Sequence, residues 1–598
     1  MNVKSKYICT MIKYALILLV FVITNVRISF GQEQPSIADK VVIRLSDDPL
    51  SLNPILNFNT VLDNNISRYF IFQSLAELNP ITYQYEPLLL SEIPVIVPDK
   101  KTYECQIRNE AFWDNQTPIT GHDVVFLIKV IKLISKEYRQ YEYFSSFLED
   151  ITVDPISPKK FTLKFKKLNS TIFTIPILPK YKYDPDKILD KYSAAEILNP
   201  KNTEKILQDQ DVQKFIKDFK SDRRCRTPEG ISGSGAYKLK IWKNNDVMVL
   251  ERKPQWWADQ VPNARSVLFK AYPEKIEFRI MNDINKAMIA FKLQDIDVLY
   301  DLPGKQFKDL EKLDSNQYNF RLRVIPSTRI TMLVLNNASQ DPKKFYLKDP
   351  RVRKALAYSI NVEEIIENVL KGYALPISCP SPVQKKISYN DKLKPYTQDT
   401  IKAIELLKQA GFTKVDEDGI RYQIINQEKI PLEITFILAK GEADNRKLFF
   451  YIAKEAKKVG INILTKEVTT EEEEEAIYSH NFDGYFMLLS NDVRGTAVSS
   501  SMWQSKHPSN QTQYSNPQLD ALAEKIEKEK KPEKIKEYYD KLNEILYENM
   551  PAIWLWQEES LMAYNARFEN VKTSTMFSSY LGFYPPMFWT PKSKVKYK

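Results

Sequence analysis

Two hydrophobic periods alternate along this chain, and that alternation restricts its fold more than any other feature. Val41-Val42-Ile43-Arg44-Leu45 reads as a strand, which Pro49 and Asn53-Pro54 then break. Phe161 to Phe165 alternates apolar and polar residues, as a half-buried strand requires. Tyr237 to Ile241 and Val247 to Leu250 flank Asn244-Asn245-Asp246, a hairpin signal. Helical spacing appears between such runs. After Asp349-Pro350, residues Val352, Ala355, Leu356 and Ile360 share one helical face. Asn361 caps the next helix, with Glu364 at the capping-box position and Gly372 beyond its end. Ile401, Ile404 and Leu407 repeat the pattern until Gly411 stops it. Mixed α/β structure is therefore expected. At 598 residues the chain exceeds a single ordinary core, so two or more lobes are expected. No repeat or low-complexity linker separates them, which predicts packed lobes joined by short crossovers.

The N-terminus is of another kind. Lys4, Lys6 and Lys13 precede an uninterrupted apolar stretch, Ala15 to Ile23, and Ser29-Phe30-Gly31 offers small residues for cleavage. Residues 1–31 thus read as a secretory signal peptide, too short in its apolar part for a comfortable membrane span. Its removal takes away four basic residues and leaves a mildly basic chain. Lys/Arg and Asp/Glu are interspersed, with no basic arm for nucleic acid. Cys9 lies ahead of the apolar stretch, where it cannot be a lipoprotein's acylated residue. Cys105, Cys225 and Cys379 remain, an odd number without metal-like spacing. One pair oxidised after export and three small buried hydrophobes are both compatible with that.

Catalytic signatures are missing. His122, His480 and His507 are the only histidines, and they form no metal-binding motif. Gly233-Ser234-Gly235 lacks a downstream Lys-Ser/Thr and leads into a strand, so it reads as a tight turn and not a phosphate cradle or nucleophile elbow. Asp295 and Asp297 are two apart on a strand or turn, weak grounds for a glycosidase pair. Glu471 to Glu475, after Thr469-Thr470, fit a helix start; adjacent ligands do not face one metal. Neither an enzyme, a metal site nor a cofactor is expected.

Several blocks in order carry a resemblance. These are Asn64 to Tyr69 with Gln73-Ser74-Leu75; Phe112 to Phe126 (FWDNQTPITGHDVVF); Gly233 to Tyr237 followed by Glu251 to Trp257; Asp349 to Leu356; and Trp503-Gln504-Ser505 with Asn510 and Tyr514 to Asp520. From residue 41 to about residue 575 the chain resembles the family 5 extracellular solute-binding proteins, the oligopeptide/dipeptide-binding group of ABC importers. Asn115 and Gly121 stand where that family usually has Gly and Ala. The resemblance implies an α/β two-lobed periplasmic-binding-protein clamshell (type II-like, large cluster C), with a small extra α/β domain inserted in the first lobe. The expected layout is first lobe 41–72, inserted domain 73–157, first lobe 158–329, second lobe 330–548 and first lobe again 549–598.

Function follows from the same resemblance as an expectation: capture of a small ligand, a peptide first of all, between closing lobes. Delivery would be to a membrane-embedded ABC permease, by an exported monomer. A non-peptide solute (oligosaccharide or metal chelate) and a periplasmic chaperone or sensor role are the alternatives. In peptide-binding members a second-lobe aspartate takes the ligand's α-amino group. Counting forward without a gap from Phe482-Asp483 places Asp492 there, with Arg494 adding a charge suited to a carboxylate. Asn336 and Asn337, after the strand Thr331 to Leu335, are candidates for bonding peptide backbone. Ser234 and Tyr237 are candidates on the first-lobe cleft wall.

Overall fold

The structure is a computed structural model. It describes residues 39–596 except 57–64, 83, 98–100, 263, 265, 441–442, 491–499, 501, 508, 530 and 575–583. The expected signal peptide therefore lies outside the described residues.

An 11-stranded sheet threads both lobes. From one edge its order is Asn462–Val468, Glu433–Ala439, Gly484–Ser490, Phe320–Leu335, Ala552–Asn565, Val298–Leu299, Lys40–Leu45, Lys275–Ile280, Val247–Arg252 and Tyr237–Lys243. A short strand, Ala374–Pro376, also pairs with Ala552–Asn565. Lys40–Leu45 runs parallel to Lys275–Ile280 and Val298–Leu299, and Glu433–Ala439 runs parallel to Asn462–Val468 and Gly484–Ser490. Each lobe thus has its own parallel portion, with helices Ile284–Lys292, Gly304–Glu311 and Ala443–Lys458 beginning beyond carboxyl ends of its strands.

The lobes are joined by the two longest strands, Phe320–Leu335 and Ala552–Asn565, which pair antiparallel with each other. Their register runs unbroken from Phe320↔Asn565 to Pro326↔Glu559, is interrupted, and resumes at Ile330↔Gln557. Pro326 has no N–H for a ladder, so an irregularity is the place for it. The hydrophobic core divides at the same point. Ile325, Met562 and Tyr564 pack with first-lobe residues such as Val41 and Phe278. Ile330, Leu333, Ile553 and Trp556 pack into the second-lobe clusters. Gln557, fully buried, stitches the crossing: its amide donates to the Ser327 carbonyl at 2.7 Å and accepts from the Val383 N–H at 2.8 Å.

A separate four-stranded sheet, Val95–Val97, Thr102–Gln106, Lys160–Phe165 and Leu148–Val153, forms beside the first lobe. Lys160–Phe165 shows the alternating burial its sequence predicts, and it carries this sheet past the boundary placed at 157. Local expectations also hold for the Asn244–Asp246 hairpin, where Asn245 has φ 55°, for the Asn361 cap, and for the Thr469 capping box ahead of Thr470–Tyr478.

The blocks behind the resemblance interlock in space. Asp114 accepts from Ser232 Oγ at 3.0 Å and pairs with Lys253 at 2.6 Å, while Lys253 also donates to the Gly233 carbonyl. Trp256 and Trp257 both aim their indole N–H groups at the Ser234 carbonyl. Arg351 stays exposed beside Asp349, whereas Arg353 is buried. Asp520 accepts from the Ser505 N–H at 2.8 Å. These residues tie distant segments together, so they identify a scaffold and not a ligand. Cys105, Cys225 and Cys379 are buried free thiols, the small-hydrophobe alternative of the two the sequence left open. Burial pushes the Cys105 thiol up to about 12 and Cys379 to about 11.

Candidate functional site

In open α/β sheets, ligands are bound beyond the carboxyl ends of parallel strands. Here those ends from both lobes face a crevice of about 960 Å³. The first lobe contributes Asp301, Gly304 and Lys305; the second contributes Lys371, Tyr373, Tyr451 and Phe486. Arg329, Trp556, Glu558 and Glu559, on the two crossover strands, form the floor. A lining of aromatic rings with a few convergent charges is what a small-molecule site requires.

Arg329 organises the floor. Its guanidinium meets Asp301 through two bonds, Nη2 to Oδ1 at 2.6 Å and Nη1 to Oδ2 at 3.1 Å, and its Nε lies 3.3 Å from Glu558 Oε2. Asp301 holds φ at 51°, a left-handed conformation that Asp tolerates better than most residues. Burial pushes the Glu558 carboxyl above its ordinary value; Arg329 opposes that shift and Asp301 adds to it. Glu559 is raised by burial as well. Arg44 approaches from the first lobe, but its Nε donates to the Met281 carbonyl at 2.9 Å. Beside the crevice the lobes touch. Phe307 of the first lobe meets Tyr373 of the second edge-on, with centroids 5.2 Å apart, and a Cβ at Gly304 would lie 2.6 Å from the Leu370 carbonyl oxygen. Among the described residues, no group of three or more His, Cys, Asp or Glu side chains is placed to hold a metal, and no helix is long and apolar enough to cross a membrane.

Four of the sequence-predicted residues lie elsewhere. Ser234 is buried in the turn beneath Trp256 and Trp257. Tyr237 is fully buried and donates its hydroxyl to the Pro273 carbonyl at 3.0 Å. Asn336 bonds the His480 and Phe482 carbonyls, and Asn337 bonds those of Leu335, Thr512 and Pro551. Both asparagines follow the carboxyl end of Phe320–Leu335, where their amides fasten loops. The Tyr237 hydroxyl and the amides of Asn336 and Asn337 thus meet the protein's own backbone, while the Ser234 hydroxyl is buried without a hydrogen-bond partner. Asp492 and Arg494 lie outside the described residues. Arg329, Asp301 and Glu558 were not anticipated, although the polar stretch Gln557 to Ser560 interrupts the apolar run from Ala552 to Tyr564 and could have marked the place.

Two α/β lobes, paired crossover strands and an interlobe crevice define a binding-protein clamshell. Residues 84–512 match the model of bacterial extracellular solute-binding proteins, family 5 (middle region), and the chain belongs to that family. A stretch of 181 residues is 30% identical to the glutathione-binding protein GsiB of Pectobacterium atrosepticum, covering 30% of this chain and 31% of that relative. The match thus spans about a third of the curated relative's length. Among solved structures, the oligopeptide-binding protein AppA of Bacillus subtilis, in complex with a nonapeptide, has a TM-score of 0.67 at 19% identity, covering 94% of this chain and 100% of AppA. NikA of Brucella suis, in complex with Fe(III)-EDTA, has a TM-score of 0.71 at 19% identity, covering 92% and 100%.

Proposed function

We propose that this protein captures a short peptide between its lobes outside the cytoplasm and passes it to a membrane-embedded ABC permease. The observation that carries the reading is the crevice itself, about 960 Å³ at the carboxyl ends of both parallel portions, walled by rings and floored by charges. Aromatic walls suit peptide side chains without demanding one sequence, and separated charges suit a zwitterion. Export through residues 1–31, the lack of a lipid-accepting cysteine after that segment, and action as a monomer belong to the same reading.

Asp492 is the proposed anchor of the α-amino group, with Arg494 available to a carboxylate. Support comes from the approach: Gly484–Ser490 ends with Ser490 opposite Arg329, a floor residue, and residues 491–499 follow directly. Mass spectrometry of solute retained through mild purification tests the function. Short peptides are expected; an oligosaccharide or a metal chelate in their place would overturn the reading. Asp492→Ala is expected to weaken peptide binding by about 1–3 kcal/mol, as truncating a desolvated charge partner does. Unchanged affinity removes Asp492 from the site.

A further inference from the structure

One helix of the first lobe is fitted to one turn of the second. Gly304 opens the helix Gly304–Glu311, and a Cβ there would lie 2.6 Å from the Leu370 carbonyl oxygen and 3.1 Å from Lys371 Cβ. The φ of Gly304 is not positive, so any residue could adopt its backbone, and alanine would favour the helix more. Its missing side chain therefore serves the fit to Leu370. Tyr373 completes the contact. Lys371 and Gly372 hold φ at 60° and 87°, and Tyr373 follows them onto the first-lobe core cluster that contains Phe291, Phe307 and Leu310. Its ring meets Phe307 edge-on, and Lys308 Nζ lies 5.6 Å from the ring centroid. Burial, then the nearby Glu311 carboxylate, raises the pKa of its hydroxyl. The Glu559 N–H donates to the Tyr373 carbonyl at 3.2 Å, and Glu559 is opposite Pro326, where the crossover register breaks. Gly304, Leu370 and Tyr373 all line the crevice, so the contact is on the side that closes.

We infer that the Gly304–Leu370 contact is the stop that sets how far the lobes close, with the Phe307–Tyr373 pair as its latch. Two backbones meet at the stop, and backbone cannot yield as a side chain can, so further closure is blocked there. Opening parts the two rings and exposes them to water. The shut arrangement thus gains a preference that does not depend on which solute is held. A fixed end point also presents the same outer surface to the permease whatever lies inside. The device rests on the reading that the lobes close over a solute, and it adds where that closure ends.

The test is disulfide trapping in the exported full-length chain. Gly304→Cys with Lys371→Cys places two Cβ atoms only slightly closer than the span of about 3.5–4.5 Å that a disulfide bridges. Air oxidation with copper phenanthroline is expected to join the two thiols, read by mass spectrometry of the digested protein. The linked protein should scatter with a smaller radius of gyration than the same protein after reduction. Saturating tetra-alanine should bring the unaltered protein to the linked value. Adding Tyr373→Ala to the cysteine pair should slow linking about threefold or more, the worth of one aromatic pair. No link in a protein with a normal unfolding transition, or a radius unchanged by reduction, overturns the stop. A linking rate indifferent to Tyr373→Ala overturns the latch. Each of these leaves the peptide reading standing. A compact linked form, beside an unaltered protein that tetra-alanine, trilysine and triglutamate neither bind nor compact, overturns the peptide reading and leaves the stop in place.

Discussion

Arg353 Nε donates to the Met550 carbonyl at 2.8 Å, binding the helix Pro350–Ser359 to the turn that leads into the return strand. The same guanidinium reaches the carbonyls of Leu347 and Asn549. Burial lowers its pKa only to about 10, so the charge persists at neutral pH. Arg353→Leu removes the donors and orphans three carbonyls. We predict a loss of about 3 kcal/mol in stability, read by urea unfolding. A midpoint unmoved by the substitution contradicts this role.

Gly233 and Gly235 lie against the backbone of Phe70 and Ile71. A Cβ at Gly235 would be 2.5 Å from the Phe70 carbonyl oxygen, and one at Gly233 would be 2.2 Å from that of Ile71. Backbone cannot swing aside as a side chain can, so alanine at either position should cost about 3 kcal/mol or more. Gly419→Ala is the control: it has φ 83° but open space around it, and about 1 kcal/mol is expected. Thermal melts that rank Gly419→Ala as the more damaging change would refute the steric account.

Gln557 spans the crossover strand and the loop at 383–384, and its amide also donates to Gln384 Oε1 at 2.8 Å. Gln557→Leu keeps the volume but orphans the Val383 N–H and the Ser327 carbonyl, for a cost of about 2 kcal/mol. Hydrogen exchange should show the loss first in the amides around 327–329 and 383. Uniform loosening of both lobes would speak against a local role.

Burial holds the Glu558 carboxyl above the ordinary glutamate value of 4.5. The native state therefore keeps that proton to higher pH than the unfolded chain. The stability tied to it is complete below 4.5 and is lost as pH rises through the native value. Glu558→Gln cannot ionise, so its stability relative to the unaltered protein should climb as pH increases from about 4 toward 7. A constant difference across urea melts in that range rules the assignment out.

Local structure was legible because its causes are local. Thr469 and Glu472 sit three apart in sequence and cap one helix; Phe161 and Phe165 alternate with polar neighbours and line one face. The long crossover was harder to read. Only Thr331 to Leu335 has a continuous apolar signature, because Arg321, Arg323 and Pro326 occupy the stretch between lobes. The floor of the crevice was hidden for the same reason. Asp301, Arg329 and Glu558 are far apart in the chain, and only sheet pairing brings them together. Asn336 and Asn337 show the limit of such reading, since a polar pair after a strand is equally apt for a foreign backbone and for the protein's own loops.

The register break between Pro326 and Ile330 has a mechanical meaning. Both tethers run side by side and are laced together above and below it, so neither can stretch or slide without its neighbour. Any change in the angle between the lobes would therefore twist both strands together, as one ribbon.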